Sequence, residues 1–256
     1  MVLCVIHTLE NSQNILLSAK ELSVRFNKRN GVMACSKNNI TQNISLEQIY
    51  SQIDRLKIKT DYVEVEKNPI LDLLPICEQN EVSFLLLQLV NSKSKEIQHL
   101  LNACRQLRIP YLLYNSSNEF VKFKKILLPV SFLVEELEKA QFAAAFGRFF
   151  GAEISLLLAK DYGSKALDNS QKIKSVLDKF NLKVNTIKGQ KDSFKINQES
   201  LRIAKREQFD LLIVSASREY GLDDLIFGSM EQKLINKSTI PVLLINPRDD
   251  LYVLCD

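Results

Sequence analysis

The chain has 256 residues, 46% hydrophobic and 25% charged, with 34 basic and 30 acidic side chains and a net charge of +4. This is the balance of an ordinary globular protein, and it excludes a polar disordered chain. The charges are spread along the length without a basic block of the kind that tracks nucleic acid, and apolar runs such as FLLLQLV at 84–90 fall far short of the roughly 20 residues of a membrane span.

The opening MVLCVIHTLEN has no basic stretch ahead of its apolar run, which predicts a cytoplasmic protein rather than an exported one. The five cysteines, Cys4, Cys35, Cys77, Cys104 and Cys255, are odd in number and contain no Cys-x-x-Cys pair. That argues against a disulfide framework and against a zinc site. With His7 and His99 as the only histidines, a His-rich metal centre is excluded as well.

In chain order, VLCVI (2–6) reads as a strand, 13–26 as a helix, GVMACS (31–36) as a strand and 46–56 as a helix with Ile49, Ile53 and Leu56 on one face. DYVEVE (61–66) alternates as a strand, 70–79 is helical after Pro69, SFLLLQLV (83–90) is a strand, 95–107 a helix, and IPYLLYN (109–115) a closing strand. The polar start of 115–123 suits a linker. ILLPV (126–130) then begins the same sequence of elements again: a helix over 135–149, strand 152–159, helix 170–180, strand 182–188, helix 193–208, strand 210–216, helix 229–236, and the closing strand IPVLLIN (240–246). The two closing phrases lie 131 positions apart, and each carries a proline expected at the first strand position. Five strands alternating with four helices, twice over, predict an α/β protein of two tandem doubly wound five-stranded parallel-sheet domains, 1–117 and 122–256.

Ligands of such sheets bind beyond the carboxyl ends of the strands, where strand order reverses. In the second half the loop after the fourth strand runs SASREYGLDDLIFGSM (215–230) and ends in Gly228–Ser229 just before a helix. A Gly–Ser pair there can offer free backbone N–H groups and a hydroxyl to a phosphate, although a plain helix N-cap is the simpler role for Ser229. The first half has one glycine, Gly31, and none in the corresponding stretch VNSKSKE (90–96), so a phosphate cradle is not expected there. His7 stands at the end of the first strand, where a structural role competes with a ligand-facing one. Asp223 and Asp224 are adjacent and diverge on a helix, and no nucleophile elbow, Walker loop or zinc-helix motif occurs.

KKILLPVS (124–131), GLDDLIFGS (221–229) and STIPVLLI (238–245) together resemble the universal stress protein family. The resemblance implies ATP binding through a Gly-x-x-Gly, nine residues, Gly-Ser/Thr pattern and an Asp closing the first strand. Gly228 and Ser229 match the final pair, and Gly221 matches a further glycine common in that loop. The two earlier glycines fall on Ser215 and Arg218, and the Asp position falls on Ser131. Side chains there strain the turn and block close approach to a phosphate, while the Arg218 guanidinium could meet one directly.

The resulting expectation is a non-catalytic tandem protein of stress-response type, acting through ligand or protein binding, with the ATP motif degenerate in both halves. The alternative is an ATP-binding or ATP-hydrolysing switch in the second domain using Gly228, Ser229, Gly221, Arg218 and Ser131. No nucleic-acid or membrane partner is expected. The repeat also predicts an internal pseudo-dimer with strands 110–114 and 241–245 side by side, and a homodimer is a further option.

Overall fold

The computed structural model describes residues 1–35, 44–89, 94–115, 118, 122–217 and 229–248. The chain divides into two compact units, Met1–Val121 and Lys122–Asp256. The first contains β1 (Val2–Ile6), α1 (Gln13–Arg25), β2 (Asn30–Cys35), α2 (Leu46–Arg55), β3 (Tyr62–Glu66), α3 (Leu73–Gln79), β4 (Phe84–Leu89), α4 (Ser94–Cys104) and β5 (Tyr111–Asn115). Its strands run in the order β3-β2-β1-β4-β5 and all pair parallel.

The second unit contains β6 (Lys125–Val130), α5 (Lys139–Phe150), β7 (Glu153–Leu158), α6 (Lys165–Asp178), β8 (Val184–Lys188), α7 (Ile196–Arg206), β9 (Leu211–Ser215), α8 (Met230–Lys237) and β10 (Val242–Ile245). Its order is β8-β7-β6-β9-β10, again all parallel. The chain is thus of the α/β class expected, with a five-stranded parallel sheet in each unit.

The strand sequences explain their places. β1 (VLCVI) is buried at every position, and β4 (FLLLQL) likewise, because a central parallel strand is covered by helices on both faces. β3 and β8, each at one end of its order, are largely half-buried or exposed. β5 and β10, at the other ends, are almost wholly buried.

Two local readings shift. Pro110 and Pro241 stand one residue ahead of β5 and β10 rather than in the first strand position, where their carbonyls accept from Leu85 N (3.1 Å) and Leu212 N (3.2 Å). A residue that can accept but not donate suits the entrance of a ladder. The helix expected from residue 135 begins instead as a 3-10 turn, Val134–Glu138, before α5. Three residues per turn eclipse positions three apart. That alignment sets Glu136 over Lys139, and the two form a buried ion pair.

The repeat also extends to how helices end. α1, α2 and α3 are followed by Asn27, Lys57 and Glu81 at φ near +50°, and α5, α6 and α7 by Gly151, Asn181 and Gln208 at φ +62°, +53° and +54°. After five of these residues the next N–H bonds five residues back, as in Lys28 N to Ser23 O and Val82 N to Cys77 O, both 2.8 Å. This is the left-handed helix stop that feeds the chain into the following strand.

Candidate functional site

In each unit the strand order reverses at one crevice: between β1 and β4 in the first, between β6 and β9 in the second. Both crevices are cross-tied from the same strand position. In the first unit Gln88, on β4, is buried, and its Oε1 accepts from His7 N (2.8 Å) and Thr8 N (3.0 Å) while its Nε2 donates to Glu10 O (3.3 Å). One long amide therefore bridges from β4 to the segment after β1 and satisfies its backbone. The backbone of His7 is thereby held by β4. In the second unit the matching residue is Ser215, whose shorter side chain reaches Glu135 O at 3.4 Å, a marginal bond.

At the end of β6, Ser131 is buried. Its hydroxyl donates to Glu136 Oε1 (2.5 Å), its N–H donates to the same oxygen (3.3 Å), and its carbonyl accepts from Asn169 Nδ2 (3.0 Å), which also reaches Leu133 O (2.8 Å). Glu136 Oε2 faces the Lys139 ammonium, which in turn donates to Pro129 O. A buried ion pair is tolerable only when further hydrogen bonds complete it, and here the strand end and the Ser131 hydroxyl supply them.

The remaining loops at this end are tied to one another. Ser193 Oγ donates to Asp161 Oδ2 (2.5 Å) and accepts from Phe132 N (2.9 Å), joining the segments that follow β6, β7 and β8. Glu231, in the first turn of α8, takes both the N–H and the hydroxyl of Ser217 on Oε1 at 2.5 Å. Ser229 is the N-cap of α8, buried, with its hydroxyl accepting from Gln232 N (3.2 Å). Glu138 Oε1 accepts from Arg248 N (2.9 Å). Carboxylates of the chain itself thus lie just past β6 and β9 and, with Glu231, at the positive end of α8, where a bound anion would gain from the helix dipole.

Of the five residues singled out in sequence, Ser131 and Ser229 sit on this edge in the roles just given. Arg218, Gly221 and Gly228 lie outside the described residues, as do residues 90–93 of the first-unit loop. Among the described residues no group of three or more His, Cys, Asp and Glu side chains is placed to hold a metal ion. The thiols of Cys4, Cys35, Cys77 and Cys104 are buried. Burial, with a smaller contribution from Glu78, pushes the Cys77 thiol up to about 12, away from nucleophilic chemistry.

Gln88, Glu136, Lys139 and Glu231 were missed by sequence reasoning. For Gln88 a signal existed, a single amide inside the otherwise apolar run FLLLQL. Glu136 and Lys139 look like any solvated Glu-x-x-Lys pair on a helix, and only the tertiary structure turns them inward.

Comparison with known proteins places residues 122–246 in a match to the universal stress protein family. A universal stress protein of Methanocaldococcus jannaschii is 23% identical, covering 54% of this chain and 92% of its own. The crystal structure of a universal stress protein from Archaeoglobus fulgidus superposes with a TM-score of 0.69 at 15% identity, covering 97% of each chain. The cytoplasmic domain of a prokaryotic cation chloride cotransporter superposes with a TM-score of 0.61 at 14% identity, covering 99% of this chain and 98% of that one.

Proposed function

Because residues 122–246 match the universal stress protein family, we propose that the whole chain is a tandem universal stress protein, its two domains 1–117 and 122–256. It is non-catalytic and acts in stress response by binding a ligand or a protein, with the ATP site degenerate in both halves. The observation that carries this reading is the occupation of the second crevice by the chain's own groups. Ser131 is committed to Glu136, Ser217 to Glu231, and the Ser229 hydroxyl to the first turn of its own helix. A triphosphate arriving there would meet carboxylates already seated on the donors it needs, and like charges in a partly buried site repel strongly. In the first crevice Gln88 supports the same conclusion.

The test is a melting-temperature titration with ATP and Mg²⁺. A working site with a Kd of about 10 µM would stabilise the protein by about 2.7 kcal/mol at about 1 mM nucleotide. The expected result is no shift in Tm at millimolar ATP. A concentration-dependent rise, abolished by Gly228→Arg, would overturn the proposal in favour of an ATP-binding switch built on Gly228, Ser229, Gly221, Arg218 and Ser131.

A further inference from the structure

The end strands β3 and β8 are half-buried or exposed, and the sequence around them carries opposite charge. Around β3, residues 44–81 hold eight Asp and Glu against four Lys and Arg, net −4. Around β8, residues 172–206 hold ten Lys and Arg against three Asp and Glu, net +7. All ten of those basic side chains are exposed, and among the described residues only Lys183, Arg202 and Arg206 form ion pairs within the unit. Glu199, one of the three acids, is buried, accepts from the backbone of Gln190 and Lys191 and pairs with Arg202. The basic edge therefore has little internal compensation.

On the acidic edge Glu64 and Glu66 stand two apart on the same face of β3. Burial, then the hydrogen-bonded Glu66 carboxylate, raise the Glu64 carboxyl above its ordinary range, as expected where two acids crowd one face.

An exposed edge strand presents a row of backbone donors and acceptors to any strand that can approach. Charge decides which strand that is. β3 against a second β3 brings two acidic edges together, and β8 against a second β8 two basic ones; β3 against β8 is the pairing that the charges favour. We propose that the acidic β3 edge of one copy docks on the basic β8 edge of a second copy, joining chains head to tail. Such a contact is heterologous, so each added copy presents the same two free edges and growth does not stop at a dimer unless the rotation closes a ring. The proposal is independent of whether any nucleotide binds.

Sedimentation velocity on the full chain over a concentration series tests it. At about 0.1 M salt the mean mass should rise with concentration past that of a dimer. At about 1 M salt, where the screening length falls from about 10 Å to about 3 Å, it should collapse. Glu64→Lys with Glu66→Lys should abolish association, and so should Lys188→Glu with Lys191→Glu. Combining all four substitutions should restore it, an outcome that a general loss of folding cannot produce. A mass insensitive to salt and to both reversals would overturn the proposal. So would a wild-type chain that stays monomeric yet binds heparin through the β8 edge, since that edge would then be a polyanion site.

Discussion

Lys139 is 1% exposed, and its ammonium is held by the Glu136 carboxylate and the Pro129 carbonyl. Removing one member of a buried pair leaves the other charge in a medium that solvates it poorly. Lys139→Met should therefore lower unfolding free energy by about 3–5 kcal/mol, measured from the urea midpoint. Lys139→Met combined with Glu136→Gln should recover most of the loss, because the glutamine oxygen can still accept from the Ser131 hydroxyl and N–H. Equal destabilisation by the single and the double variant would show that lost packing of the lysine stem, and not the stranded carboxylate, accounts for the effect. The pair lies at the end of β6, where a sequence reader assigns both side chains to solvent.

At the scale of elements, the helix stops offer a clean comparison. Gly151 adopts φ +62° with no atom within 4 Å of where a Cβ would stand, so Gly151→Ala should cost about 1 kcal/mol through conformation alone. Gln208 fills the same left-handed stop after α7 at φ +54° with an ordinary side chain. Gln208→Gly should stabilise by about 0.5–1 kcal/mol, the relief of strain outweighing the greater freedom of glycine in the unfolded chain. Thermal unfolding of the two variants should move Tm in opposite directions. A fall in both would mean that the Gln208 side chain makes contacts worth more than its backbone strain.

At the scale of the molecule, the repeat raises the question of what covers the apolar closing strands. YLLYN and VLLI are edge strands by order yet almost wholly buried. The expectation from the duplicated phrase is that strands 110–114 and 241–245 lie side by side within one chain as an internal pseudo-dimer. Spin labels at Tyr114→Cys and Ile245→Cys, introduced after replacing the native cysteines, should give a short distance by pulsed EPR in a magnetically dilute sample. A distance several strand spacings long, or one that appears only between different chains, would remove the pseudo-dimer. The closing strands and the charged edges β3 and β8 are separate surfaces, so the two assembly predictions stand or fall apart from each other.

What was legible in the sequence was whatever depends on local periodicity. The apolar runs of β1, β4, β6 and β9, the amphipathic helices between them and the twofold recurrence of the order all follow from the burial that a parallel sheet demands. The 3-10 turn was not legible, because Glu135 to Glu138 carry no helix-breaking residue that would mark the tighter winding. Nor was the state of the crevices. Whether Ser131 waits for a ligand or donates to Glu136, and whether Gln88 lies idle in its strand or binds the backbone beyond β1, depends on groups 5 and about 80 residues apart in the chain. By itself the sequence determined the α/β class and the duplication, since hydrophobic pattern is local. The tertiary structure alone decided which polar groups meet at the carboxyl ends of the strands, because hydrogen bonding and charge pairing there depend on which way each side chain is turned and not on hydrophobic period.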